Sequence, residues 1–146
     1  MNIIEAVRSI LQSFPKISEM TGGVKIDFAD DTPQSCGLSS TGDTVLSEDI
    51  IGNLTKQHSF MFYAVFSSIN DYERLVNSSA LIELGDWLRE RKNTAVTTVI
   101  GSRTYKGKIT SLRAENGMIE EIPESSGISG VIYSLQLIAE YTVEKE

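Results

Sequence analysis

Residues 56–93, KQHSFMFYAVFSSINDYERLVNSSALIELGDWLRERKN, decide the fold of this chain. Their first part is rich in aromatic and branched apolar residues, and it predicts a strand over Phe60–Ser67. Both faces of this strand are apolar, which indicates either a central strand covered on each side or one face given to a neighbouring subunit. The remainder has the spacing of an amphipathic helix whose inner stripe comprises Leu81, Leu84, Trp87 and Leu88. Asn77–Ser79 predicts a break, with a second helical segment from about Ala80.

The size and composition of the chain predict one globular domain over residues 1–146. Hydrophobic residues make up 40% and charged residues 23% of the chain, proportions typical of soluble proteins. The apolar runs are too short to span a bilayer, and the first residues lack the order of a signal peptide, so no membrane contact is expected. A single cysteine, Cys36, excludes an internal disulfide and is typical of a reducing compartment.

The charge is negative overall and unevenly distributed. A net charge of −7 argues against a protein that grips nucleic acid, because that grip relies on neutralising phosphates. Seven of the thirteen basic residues nevertheless lie between positions 89 and 113, where Glu90 is the sole acid. From Glu115 onward there are seven acids and one base, Lys145. This distribution fits two faces of opposite sign that meet a copy or a charged partner, and it also fits an ordinary solvated surface.

The N-terminal third predicts one helix and little regular sheet. Asn2 caps a helix from Ile3 to about Phe14, which Pro15 ends by forcing its predecessor out of helical geometry. Val24–Phe28 alternates like a half-buried strand. The following stretch is polar and rich in turn residues, so we expect a loop or short edge strand over Ser35–Ser40. A second irregular stretch is expected over Asp43–Asn53.

The C-terminal third predicts strands. Thr94–Ile100 is β-branched and indicates a short strand. Asn116-Gly117 is a strong hairpin signal, because both positions tolerate positive φ. Residues 123–130 form a connector, and Val131–Val143 predicts a long final strand. Helix, strands, helix, strands in this order predict the α+β class, with two main helices packed on a mainly antiparallel sheet.

The candidates for catalysis or metal binding are few. His58 is the sole histidine, and a Cys36–His58 nucleophile pair is conceivable, but nothing in the sequence marks a third orienting group. We expect His58 to lie instead on a strand edge as a polar tip. Asp27, Asp30 and Asp31 suggest a cation site, yet the EF-hand spacing is absent and a solvated loop is the preferred interpretation.

Two further motifs favour structural interpretations. Gly101–Gly107 contains two glycines and several cations but lacks the Gly-Lys-Ser/Thr of a phosphate loop, which favours a surface loop. Four aromatic residues could stack on bases, but no cationic groove adjoins them and core packing is preferred: Phe60, Phe62, Tyr63 and Phe66. We therefore assign no catalytic, cofactor-binding or metal-ligating residue, and we expect neither enzyme activity nor a cofactor.

Four framework segments carry a resemblance to a known family. They are MNIIEA at residues 1–6, FMFYAVFSS at 60–68, GDWLRERKN at 85–93 and YSLQLIAEY at 133–141. In their order and intervals they resemble a family of small prophage proteins of Gram-positive bacteria, the minor capsid or tail terminator proteins. The resemblance covers nearly the whole chain, and it rests on framework residues without a diagnostic motif.

This resemblance implies a tail-terminator-like fold and a structural role at the head–tail junction of a virion. The implied assembly is a homo-oligomeric, hexameric ring that caps the tail tube and docks to neck or head-completion proteins, with sheath proteins as further partners. DNA would pass through this ring without specific binding, and assembly would take place in the cytoplasm of the bacterial host. The alternative is a small soluble binding module of prophage origin without a virion role. The family offers no catalytic residues to transfer to this chain.

Overall fold

The structure is a computed structural model, and it describes residues 1–15, 24–26, 35–66, 71–121 and 131–145. Two helices and six strands lie in these ranges. Their order is α1 (Ile3–Gln12), β1 (Val24–Ile26), β2 (Ser35–Glu48), β3 (Leu54–Phe66), α2 (Asp71–Arg89), β4 (Ala95–Ile100), β5 (Arg103–Glu121) and β6 (Val131–Val143).

The six strands form one sheet in the order β1-β2-β3-β6-β5-β4. The last strand in sequence, β6, lies in the middle of the sheet. It pairs antiparallel with β3 without interruption from Leu54↔Val143 to Phe66↔Val131, and with β5 on its other side. The short β1 runs parallel to β2, so the sheet is mainly but not wholly antiparallel. The predicted α+β class with a mainly antiparallel sheet is confirmed.

The hydrophobic core lies between the helices and one face of the sheet. Phe60 and Phe62 of β3 are fully buried there, because alternate residues of a strand point to the same face. The inner stripes of both helices and the alternate residues of β6 supply most of the core: Ile3, Ala6, Val7, Ile10, Leu11, Leu81, Leu84, Leu88, Tyr133, Leu135, Leu137, Ala139, Tyr141 and Val143. Phe14, Leu38, Val96, Ile109 and Leu112 complete it. The rings of Phe14 and Trp87 lie 5.4 Å apart.

Only one face of β3 is fully covered within the described part of the chain. Met61 and Tyr63, which alternate with the buried phenylalanines, are partly exposed. β3 also begins at Leu54, six positions before the predicted Phe60. The apolar pattern of Phe60–Ser67 therefore predicted the C-terminal part of a longer strand, and the structural description of that strand ends at Phe66.

Three element predictions are wrong. The stretch Asp43–Asn53 is not irregular: most of it continues β2 to Glu48 and pairs with β3. No break occurs at Asn77–Ser79, since α2 is continuous from Asp71 to Arg89. Asn116-Gly117 forms no hairpin, because β5 runs past it alongside β6. Glu115 pairs with Gln136 and Met118 pairs with Ser134, so three steps along β5 match two steps along β6. The one extra residue on β5 is accommodated as a bulge.

Several other boundaries agree with the sequence prediction. The Asn2 side chain accepts a hydrogen bond of 2.9 Å from the Glu5 amide, as expected of an N-cap, although α1 ends at Gln12, before the predicted Phe14. The final strand has the predicted bounds, and β4 covers most of the predicted Thr94–Ile100. Residues 27–28 of the first predicted strand and the 123–130 connector lie outside the described residues. Neither described helix is long and apolar enough to cross a membrane.

Candidate functional site

The β2–β3 hairpin ends in a turn that its own residues hold in one conformation. Asp49 begins the turn, and its Oδ1 accepts hydrogen bonds from the amides of Ile51 and Asn53 at 3.0 and 2.8 Å. The Asp49 amide donates to the Asn53 carbonyl at 2.9 Å. Gly52 has a backbone φ of 90°, a value that residues with a Cβ rarely adopt. Asp at the start and Gly near the end are the residues that such a turn requires.

The end of this hairpin exposes four large aliphatic side chains. We call residues 45–51 the β2–β3 tip. Their exposed fractions are 55% for Val45, 48% for Leu46, 106% for Ile50 and 63% for Ile51. Two acids, Glu48 and Asp49, lie among them and are also exposed. Apolar side chains that cluster at an exposed hairpin end and are flanked by acids are typical of a contact surface.

A polar cluster at the base of the tip joins three strands. Asp43 of β2 accepts a hydrogen bond of 2.9 Å from the Tyr141 hydroxyl of β6, and its Oδ2 lies 3.3 Å from Nζ of Lys56 on β3. Burial raises the pKa of Tyr141 well above its ordinary value, and the hydrogen bond and negative charge of Asp43 raise it further. The hydroxyl therefore stays protonated and keeps donating. These contacts fix the base of the hairpin to the centre of the sheet.

His58 belongs to the same cluster and brings a serine into it. Its Nε2 lies 2.9 Å from Oγ of Ser40, and its Nδ1 lies 3.5 Å from Oδ2 of Asp43. Ser40, His58 and Asp43 are thus arranged in space in the order of the catalytic triad of a hydrolase. Although Asp43 is this close, Nδ1 of His58 has no hydrogen-bond partner, and a hydrogen bond from this nitrogen to the carboxylate is what orients a catalytic imidazole. Asp43 is already engaged by Tyr141 and Lys56, so we assign the cluster to holding the hairpin.

The Cys36–His58 pair considered from the sequence does not form. Cys36 is opposite Ala64 in the β2–β3 register, whereas His58 is opposite Asp43. Ala64 is six residues beyond His58 on β3, so the two backbone positions are roughly 20 Å apart at the usual rise of a strand. The expected location of His58 is also wrong: its side chain is 7% exposed on a strand between two others, and it is not a tip on an edge.

A second hairpin end is also apolar. We call residues 99–102, which join β4 to β5, the β4–β5 tip. Val99 and Ile100 are 67% and 39% exposed there, and Gly101 has a φ of 63°. The Gly101–Gly107 segment, predicted as a surface loop, supplies this turn and then the start of β5. It is thus mostly strand, because its residues pair with β4 from Ile100↔Arg103 onward.

Basic residues line a pocket between the end of α2 and β5. We call it the basic pocket; it has a volume of about 220 Å³ and is lined by Arg89, Lys92, Ser111, Leu112 and Arg113. A hydrogen bond to Glu115 raises the pKa of Arg113, burial opposes this, and a hydrogen bond to Glu140 adds to the rise. Those two acids offset the charge of Arg113. Arg89 and Lys92 are exposed and leave the pocket positive.

The remaining sequence candidates are the acidic residues considered for a cation site and the aromatic residues considered for base stacking. The described residues contain no group of three or more His, Cys, Asp or Glu able to hold a metal ion, and Asp27, Asp30 and Asp31 lie outside them. Phe60 and Phe62 are fully buried, which confirms the core interpretation for those two aromatics. Both tips and the polar cluster were missed from the sequence. The aliphatic pair Ile50-Ile51 beside Glu48-Asp49 was the one signal of the first tip.

No protein-family model matches the chain, and no curated protein matches it.

Proposed function

We propose that this chain is a structural assembly protein of the tail-terminator type. In this role it forms a homo-oligomeric ring, hexameric by the resemblance, which caps a phage tail tube and docks to the neck in the virion. The observation that carries the proposal is the exposure of aliphatic side chains at the ends of two separate hairpins, the β2–β3 tip and the β4–β5 tip. A subunit in a ring needs contact surfaces of this kind on more than one side.

The exposed side chains are numerous enough to hold subunits together. Six aliphatic residues, Val45, Leu46, Ile50, Ile51, Val99 and Ile100, are between 39% and 106% exposed at the two tips. Fully burying one such side chain contributes roughly 1.5–3 kcal/mol. Association costs about 4–15 kcal/mol in lost translational and rotational freedom. The free energy gained by burying both tips is therefore of the same magnitude as the free-energy cost of association.

The β2–β3 tip also stands on a rigid base. The Asp49 side chain holds the β2–β3 turn, and Asp43 attaches its base to Tyr141 and Lys56. A surface already held in its binding conformation loses little further freedom on association. This supports a part that meets its neighbours in one fixed geometry, as a ring subunit must.

The charge of the chain suits a channel for DNA. A net charge of −7 repels phosphate, so DNA would pass the ring without being held. The described basic residues of the pocket are too few to reverse this balance. Tube, sheath and neck proteins are the partners that the proposal requires.

The test is assembly of the purified protein, alone and with tail tubes. Light scattering and negative-stain electron microscopy are expected to find a closed ring or ring-capped tubes. Val99→Asp, which places a charge on the β4–β5 tip, is expected to weaken assembly or tube binding. Its matched control is Ile82→Asp, because Ile82 is also 67% exposed but lies on α2. A wild-type protein that remains a monomer and binds no tube contradicts the proposal.

One observation favours the alternative, a soluble binding module without a virion role. The basic pocket offers a positive, partly apolar recess to an acidic ligand. Its volume of about 220 Å³ is below the roughly 300–1,000 Å³ of pockets that enclose small molecules. Chemical-shift changes confined to Arg89, Lys92 and Arg113 when a monomeric protein meets a soluble acidic ligand would favour this alternative.

A further inference from the structure

We infer that the β2–β3 tip of one copy of this chain docks into the basic pocket of the next copy. The inference rests on the proposed function and specifies which two surfaces form the contact between subunits. The two surfaces are complementary in chemistry. The tip has exposed aliphatic and acidic side chains, and the pocket has the exposed cations Arg89 and Lys92.

The two surfaces are complementary in charge. Glu48 and Asp49 give the tip two negative charges beside Ile50 and Ile51. Arg89 and Lys92 are exposed at the pocket, whereas Arg113 is already paired with two acids of its own chain. Exposed ion pairs contribute little affinity individually, so the charges mainly orient the tip and reject wrong partners.

The apolar contact supplies most of the affinity. Ile50 is 106% exposed at the extreme end of the hairpin, and in the pocket it packs against the aliphatic stems of Arg89 and Lys92, because Leu112 is itself only 2% exposed. The pocket volume of about 220 Å³ is suited to a protruding side chain rather than to a whole ligand. A branched side chain on a turn held by Asp49 enters such a recess without first having to be ordered.

A tip cannot fill the pocket of its own chain. The tip follows β2 and leads into β3, whereas the pocket lies at β5, and β6 separates β3 from β5 in the sheet. In the single chain the tip is exposed, so its contact must come from another copy. Such a contact joins two different surfaces, head to tail, and repeats in every subunit, and it forms a ring when the rotation between neighbours closes.

The first test compares two tip variants by sedimentation velocity. Ile50→Asp is expected to weaken self-association by roughly 10–100-fold, the loss that follows when one large aliphatic side chain leaves an interface. Ile82→Asp, a matched exposed isoleucine on α2, is expected to associate like the wild type. Both positions are exposed, so circular dichroism and thermal unfolding should show retained folds.

A second test uses the head-to-tail character of the contact. Ile50→Asp damages the tip alone, and a double variant Arg89→Glu with Lys92→Glu damages the pocket alone. Neither is expected to form rings. Mixed in equal amounts, they retain one intact tip and one intact pocket, so the mixture should form heterodimers and stop there. Mass photometry resolves dimers from rings.

A third test exchanges the charges. Glu48→Lys and Lys92→Glu are each expected to weaken association by about two- to fivefold, the range of an exposed ion pair. The two substitutions combined in one chain should recover most of the loss. Lys106→Glu is the matched control, because Lys106 is an exposed cation of β5 that does not line the pocket.

The outcomes separate this inference from the proposed function. Wild-type rings together with undiminished assembly of Ile50→Asp would overturn the inference and leave the ring proposal standing. A wild type that is monomeric with and without tail tubes would overturn both. Rings in which the mixed variants assemble beyond dimers would also overturn the head-to-tail contact. Binding of an oligonucleotide in the pocket by a monomeric wild type would assign the cations to phosphate and overturn it as well.

Discussion

Gly107→Ala is expected to destabilise the protein strongly, because β5 passes very close to β6 at this residue. A Cβ on Gly107 would overlap the carbonyl oxygen of Thr142 and lie 2.6 Å from its carbonyl carbon. The strands cannot separate freely there. The Lys108 amide donates to Oγ1 of Thr142 at 3.0 Å, and the Glu144 amide donates to the Lys106 carbonyl at 2.8 Å.

The magnitude follows from these contacts. Overpacking costs about 1–3 kcal/mol, and the loss of one or two hydrogen bonds adds about 0.5–1.5 kcal/mol each, so the free energy of unfolding should fall by roughly 2–5 kcal/mol. With a urea slope of about 2 kcal/mol per M, the unfolding midpoint should drop by roughly 1–2.5 M.

The assay is urea unfolding followed by circular dichroism, with Gly42→Ala as the control. A Cβ on Gly42 has no heavy atom within 4 Å, and Gly42 has no positive φ, so this substitution should change stability by no more than about 0.5 kcal/mol. Equal midpoints for the two alanine variants would refute the close approach of β5 and β6.

Three further predictions concern the core and the polar cluster. The folded pKa of Tyr141 is raised, so the contribution of Tyr141 to folding stability should be constant below the unfolded tyrosine pKa of about 10. It should fall as pH rises above that value, since the unfolded chain then loses the proton that the folded chain keeps. Tyr141→Phe should flatten this decline and cost about 1 kcal/mol at neutral pH by removing the donor to Asp43, as measured by urea unfolding across pH; an unchanged pH profile would contradict the role of the hydroxyl. Leu84→Ala, at a fully buried position, should lower the unfolding free energy by roughly 2–5 kcal/mol, against a few tenths for the exposed Ile82→Ala; similar losses would contradict the packing of α2. A fluorophosphonate probe should leave Ser40 unmodified, and labelling detected by mass spectrometry and lost in Ser40→Ala would instead establish a reactive nucleophile.

The sequence was most informative where one physical signal acted alone. The first helix has a cap, an apolar stripe and a proline beyond its end, and it occurs within two residues of the predicted bounds. Residues 131–143 alternate over their full length, and the predicted strand matches β6. In both cases burial on one face imposes a period that the residues themselves display.

The failures occurred where tertiary pairing overrides local preference. Four of residues 43–48 are polar and the stretch follows a turn-rich segment, yet it forms strand because β3 offers a paired edge along its length. Asn116-Gly117 has the residues for a tight turn, but β6 is present on that side of β5 and the dipeptide is accommodated in a bulge. Local propensity is a weak predictor when a partner strand satisfies the backbone.

The candidate site was less predictable than the fold. The tip residues are ordinary aliphatic residues in sequence, and their significance comes from exposure, which only the folded chain defines. His58, Asp43 and Tyr141 meet through register: Asp43 is opposite His58 on β3, and Tyr141 is opposite Lys56 two positions away. Without that register, no spacing in the sequence brings these side chains together.

The central position of β6 has a consequence for biosynthesis. Residues 35–66 and 95–121 can each form their hairpin as soon as they are made, but the two halves have no common partner until residues 131–143 leave the ribosome. During that interval β3 and β5 each expose an unpaired backbone edge, which invites pairing with other nascent chains. Slow translation just before codon 131 should therefore lower the yield of soluble protein, and co-expressed chaperones that shield such edges should restore it.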